Sequence, residues 1–135
     1  MSDSKVKLIQ SVYEAFGRGD VPFICSQVRA DARWDFNVTR SDVPWHVPVT
    51  GPGEVPKFLA SFMDHVQLEA FEPRQFVAMG DEVIAHIRLA YTIRHTGARV
   101  DEEQLHWWTV REGKIARLRH FEDTAQVLAA WHGGA

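Results

Sequence analysis

Apolar positions open the chain at helical spacing. Val6, Ile9, Tyr13 and Phe16, with Leu8 and Val12 beside them, predict a helix that Gly17 ends in a left-handed turn. Asp20 is placed to cap a second, shorter helix with Pro22 in its first turn and Phe23, Ile24 and Val28 facing inward. The period then drops to two: Arg33 to Val38 alternates, predicting a strand with Trp34, Phe36 and Val38 on its buried face. Pro44, Pro48, Pro52, Gly51 and Gly53 argue against helix or central strand between Thr39 and Gly53, although Trp45, Val47 and Val49 make this an apolar loop. Trp45 either plugs the edge of the core or lids a pocket. Val55, Phe58, Leu59, Phe62 and Val66 restore helical spacing.

From Gln67 to about Glu122 the pattern is that of strands. One run passes through Phe76 and Val77, a turn falls at Gly80-Asp81, and Val83 to Arg94 alternates with Val83, Ala85, Ile87, Leu89, Tyr91 and Ile93 on one face. After a break at Thr96-Gly97 come strands at Glu102–Val110 and Lys114–Glu122, then a short closing helix over Thr124–Trp131 and a tail, Gly133 to Ala135, expected to fray.

The last hairpin decides which side chains share a face. Glu112-Gly113 is a poor two-residue turn because its first position needs positive φ, so a three-residue loop with a left-handed Gly113 is expected. That register pairs Trp108 with Ala116, His106 with Leu118, Gln104 with His120 and Glu102 with Glu122 on one face. Thr109–Ile115, Trp107–Arg117 and Leu105–Arg119 fall on the other, where a guanidinium can lie over an indole. An apolar wall bearing His106, His120 and Glu122 has the composition of a small-molecule site, and histidine titrates near neutrality after modest perturbation.

Composition narrows the partners. The 135 residues carry 15 Lys+Arg against 18 Asp+Glu, a formal charge of -3 that offers no basic footprint for nucleic acid. No run approaches the ~20 apolar residues of a membrane span, and Met1 to Lys5 lacks the character of a secretion signal, so a cytoplasmic chain with no membrane partner is expected. The lone Cys25 fits a reducing compartment. There is no helical His-x-x-x-His, no Cys-x-x-Cys, no phosphate-cradling Gly-rich loop and no Gly-x-Ser-x-Gly, so neither metal nor cofactor is expected.

The order helix, helix, strand, loop, helix and four long strands resembles the nuclear transport factor 2-like superfamily, especially its SnoaL-like and ketosteroid-isomerase-like branch. The resemblance spans nearly the whole chain and is carried by Val12-Tyr13-Glu14-Ala15-Phe16-Gly17-Arg18-Gly19-Asp20, Gly51-Pro52-Gly53-Glu54-Val55 and Arg111-Glu112-Gly113-Lys114-Ile115. It implies one α+β domain over residues 1–135: a cone in which a curved, mostly antiparallel sheet is wrapped by three helices around an apolar cavity. It also implies a homodimer through the outer sheet face. Phe58, Tyr91, Trp108, Leu118, His120 and Glu122 match cavity-lining positions of the family, and Trp34, Phe36 and Trp45 join them as expected ligand contacts. The isomerase pattern matches in part. Its general-base aspartate falls at Phe36, its tyrosine at Val12 with Tyr13 rotated ~100° away, and its oxyanion-site aspartate at His106.

Two functions are compatible with this reading. One is a SnoaL-like enzyme performing isomerisation, cyclisation or hydration-type acid–base chemistry on an apolar carbonyl-like or epoxide substrate, with His106, His120 and Glu122 as catalytic groups. The other is a non-catalytic binding or accessory module for a small hydrophobic ligand.

Overall fold

A computed structural model describes residues 2–134 and turns the predicted pattern into the element order α1 (Ser2–Arg18), α2 (Val21–Ser26), β1 (Val28–Phe36), a 3₁₀ turn (Pro44–His46), β2 (Val49–Thr50), α3 (Val55–His65), β3 (Val66–Met79), β4 (Glu82–Ile93), β5 (Arg99–Arg111), β6 (Lys114–Phe121) and α4 (Thr124–Trp131). The first helix runs past Gly17 and stops at Gly19, whose φ of 72° lets Asp20 N–H reach the Ala15 carbonyl and Gly19 N–H the Phe16 carbonyl. Asp20 then caps α2 by accepting from Phe23 N–H at 3.1 Å. Val28 is buried as expected, but on β1, because α2 ends at Ser26. The tail is tied rather than frayed: Gly133 and Gly134 N–H groups donate to the carbonyls of Ala130 and Ala129, while Ala135 lies outside the described residues.

The six strands form one sheet in the order β2-β1-β6-β5-β4-β3, antiparallel throughout except for the parallel β1–β6 pair. Its inner face carries the predicted β4 set, with Val83, Ala85, Ile87, Tyr91 and Ile93 wholly buried beneath the helices. The helix expected to close the chain joins the three others. Among the described residues no helix is long and apolar enough to cross a membrane.

The hairpin corrects the expected register and preserves its consequence. Glu112 (φ 54°) and Gly113 (φ 75°) form a two-residue turn closing on Arg111–Lys114 and Val110–Ile115. Glu112 accepts a left-handed backbone, a conformation costing ~1–2 kcal/mol in an L-residue, in a turn whose twist matches that of the flanking strands. The register then shifts between Thr109 and Val110: Ala116 is the extra residue, and Thr109 pairs with Arg117, Trp108 with Leu118 and His106 with His120. These pairs differ from the expected ones by two residues, and side chains alternate with period two, so the same set faces inward. Only the segment between turn and bulge changes side. Ile115, expected outside with Thr109, is wholly buried in the core.

Candidate active site

The inner ends of β1, β5 and β6 meet α1 and α3 around a cavity of about 80 Å³. Of the expected site residues, Trp34, Phe36, Trp45, Phe58, His106, Trp108, Leu118 and His120 line it. Trp45 is buried edge-on against Phe62, Tyr91 and Trp131 and also lines the cavity. Tyr91 and Glu122 do not reach the lining. Trp45 and Phe62 stand edge-on to the Tyr91 ring, and the Glu122 carboxylate is held away from the cavity by Gln104 at 3.4 Å and by His46 Nε2 at 2.6 Å.

A continuous polar chain runs behind this wall, and its hydrogen-bond directions follow from chemistry. Gln104 Nε2 donates to Glu102 (3.1 Å) and Glu122 (3.4 Å), which turns its amide oxygen toward His106 Nε2 at 2.7 Å. An amide oxygen only accepts, so His106 carries its proton on Nε2 and presents a lone pair at Nδ1. The Tyr13 hydroxyl, 2.7 Å away, donates to that lone pair and accepts from the Trp108 indole N–H at 2.9 Å. At the other end, Ser41 Oγ lies 2.6 Å from His46 Nδ1 and accepts from Val43 N–H, fastening the loop after β1 to the last strand.

His120 stands apart from the chain. It stacks on Phe36 with ring centroids 4.1 Å apart and 6° between planes, and lies 4.8 Å from the His106 ring. Its Nδ1–H donates to the Asp35 carbonyl at 3.0 Å, leaving an Nε2 lone pair with no hydrogen-bond partner among the described residues. Burial pulls its pKa down to about 4, the Asp35 carbonyl opposing. Burial first and His120 second hold His106 well below the ordinary histidine range. Both imidazoles are therefore neutral at pH 7. Burial, then the neighbouring Glu122, pushes Glu102 up to about 8, so it holds a proton at neutrality. Burial likewise raises the Tyr13 phenol, against a smaller lowering effect of the Trp108 N–H.

These three shifts define a stability profile. From pH 6.5 down towards 4 the unfolded chain takes up protons at His106 and His120 that the folded chain refuses, so stability falls with acid. From about 4.5 to 8 the folded chain keeps the Glu102 proton that the unfolded chain releases, so stability falls with base. Two histidines outweigh one carboxyl where the windows overlap. Maximum stability is expected near pH 6.5, with a slope of about 1.4 kcal/mol per pH unit on either side. Urea unfolding at pH 5, 6.5 and 8.5 measures it, and Glu102→Gln should flatten the alkaline limb; a monotonic curve would contradict the assignment.

Sequence reasoning missed Tyr13, Gln104 and His46. Tyr13 was placed away from the cavity by its one-residue offset from the family tyrosine, yet it is buried, and its own spacing from Ile9 and Phe16 already put it on the inward face. Gln104 shares the parity of His106 and Trp108. His46 carried no signal, since its partner lies 76 residues away. Among the described residues no three His, Cys, Asp or Glu side chains converge to hold a metal ion.

A second space adjoins the first. A broad open groove of about 1010 Å³ runs between α1, α2, α3 and β3, and Tyr13, Phe16, Ile24, Leu59 and Phe71 line both groove and cavity. A helix-wrapped sheet with an apolar inner pocket, a few inward polar groups and an open mouth is a cone-shaped α+β fold. The chain belongs to the SnoaL-like domain family, whose sequence model matches residues 9–118.

Solved structures share the fold over nearly the full length. A nuclear transport factor 2-like protein from Burkholderia xenovorans LB400 is 22% identical, with 96% of this chain and 97% of that one covered and a TM-score of 0.86. TerC, co-crystallised with polyporic acid, is 22% identical over 96% and 98% of the two chains, with a TM-score of 0.80. A candidate polyketide cyclase from Xanthomonas campestris pv. campestris is 21% identical over 96% and 97%, with a TM-score of 0.75. No curated protein matches the chain.

Proposed function

We propose that the protein is a SnoaL-like enzyme that performs acid–base chemistry on an apolar carbonyl-like or epoxide substrate held in the cone. The observation that carries this reading is His120. A neutral imidazole whose one N–H is committed to a backbone carbonyl offers a fixed, unpartnered lone pair to the cavity, the form a general base takes. His106 and Tyr13 form the adjoining polar wall, their protons committed to Gln104 and to His106 Nδ1, while Glu122 acts from behind, through Gln104, by fixing the His106 tautomer. The co-crystal of TerC with polyporic acid supports a small organic ligand in such a cone. The cavity is smaller than the ~300–1,000 Å³ of usual ligand sites, so the reacting end of the substrate enters it and the remainder lies in the groove.

The experiment is proton exchange and ring opening: phenylacetone in D₂O followed by NMR, and styrene oxide hydrolysis. Acceleration of either above buffer supports the enzyme. If phenylacetone shifts the resonances of cavity residues while neither reaction accelerates, the protein is a binding module. That second reading has its own support, since Tyr13, His106, Gln104, Glu122 and His46 are already paired in one chain.

A homodimer through the outer sheet face accompanies this reading. Leu105 is 47% exposed there beside half-buried Trp107 and Phe121, with the Arg119 guanidinium 5.6 Å and 5.1 Å from the two ring centroids. Light scattering at micromolar concentration should return twice the 15.4 kDa of one chain, and Trp107→Glu should halve it.

A further inference from the structure

The inner face of β1 holds a buried donor that the polar chain does not use. Trp34 is 4% exposed and its indole lines the cavity, yet its Nε1–H finds no hydrogen-bond partner among the described residues. Such groups are rare in native structures and unfavourable when left unpaired. The edge-on rings of Trp108 (88°, 5.6 Å) and Phe58 (75°, 6.0 Å) offer at most an N–H to π contact, weaker than a bond to an oxygen. On the adjoining strand, Trp34 pairs with Leu118 and Phe36 with His120, so Trp34 and His120 occupy diagonal positions on the sheet, and both line the cavity.

We infer that the Trp34 N–H and His120 Nε2 form a two-point clamp that selects an uncharged ketone: the carbonyl oxygen accepts from Trp34 while an adjacent hydroxyl or acidic C–H faces His120. This rests on the cone being a ligand site, and goes beyond that reading in naming the specificity-determining residue and the ligand class. One unpaired donor and one unpaired acceptor, in a pocket whose Tyr13, His106 and Gln104 are already hydrogen-bonded, match a group with the complementary pair. No Lys or Arg lines the cavity, and the Glu102 and Glu122 carboxyls stand behind Gln104, so a carboxylate ligand meets no counter-charge.

Three probes of nearly equal size separate the terms: phenylacetone, propylbenzene, which lacks the carbonyl, and phenylacetate, which is charged. In the wild-type protein phenylacetone should bind about 5- to 10-fold more tightly than either. In proton–nitrogen NMR spectra it should move the Trp34 indole signal downfield, assigned through its contacts with Phe58 and Trp108, where propylbenzene does not. Trp34→Phe should bring the affinity for phenylacetone down to that for propylbenzene in the same variant. Equal affinity for phenylacetone and propylbenzene, tighter binding of phenylacetate, or an unmoved indole signal at saturating ketone would each overturn the clamp, and none of these readings needs the variant to fold. Proton exchange enters none of them. Ketone selectivity with neither exchange nor epoxide opening therefore upholds the clamp and removes the catalytic reading, while exchange without selectivity does the reverse.

Discussion

Replacing His46 by alanine is expected to destabilise the fold by about 3–5 kcal/mol, the range for breaking a buried ion pair or hydrogen-bonded pair by removing one partner. The side chains of His46 and Glu122 are each 2% exposed and meet at 2.6 Å, so the variant leaves a carboxyl group buried with only the longer contact from Gln104 at 3.4 Å. The loss extends outwards, because His46 also receives Ser41 and so holds the loop between β1 and β2. A fall of roughly 10–20 °C in melting temperature corresponds to that range for a chain of this size. Replacing both partners by apolar residues, His46→Phe with Glu122→Leu, removes the stranded polar group and should recover most of the loss. A change below about 1 kcal/mol for His46→Ala would mean that Glu122 finds water or another partner, and that buried Val43 and Trp45 suffice to hold the loop.

The contrast between His46 and the residues whose inward face was legible in the sequence has a physical basis. Trp34, His106, Trp108 and His120 sit on regular strands, where period-two alternation assigns a face regardless of which residue lies opposite. That is why an error in the turn at Glu112-Gly113 left their side unchanged: the bulge at Ala116 displaced the pairs by two positions. Ile115 lies between turn and bulge, where no such protection operates, and it changed face. Glu122 follows the last residue of β6, and the position of its carboxyl depends on a loop histidine whose place is set by prolines and by Trp45, long-range packing that no local period encodes. Tyr13 shows the opposite failure. Its helical spacing was informative, and alignment to a family tyrosine one position away obscured it.

Removing the proposed base, His120, is expected to have the largest effect on rate. His120→Phe preserves an aromatic ring against Phe36 and removes the lone pair, so catalysed exchange of phenylacetone α-protons should fall by about 10²–10⁴-fold, the usual contribution of general base catalysis. Tyr13→Phe leaves His120 intact and deprives His106 Nδ1 of its donor, and should cost less. The pH profile supplies a second test that a purely structural histidine would not meet. Only the unprotonated imidazole accepts a proton, and burial places its pKa at about 4, so the rate should stay level from pH 8 down to about 5 rather than fall away around the ordinary histidine value of 6.5. Restoring contact with solvent should undo this. Phe36→Ala opens the stacked face of the imidazole, weakens the desolvation that depresses its pKa, and should move the acid limb of the profile upward toward 6.5. A His120→Phe variant that exchanges protons at the wild-type rate would remove His120 from the chemistry and leave the Tyr13–His106 pair as the group to test next.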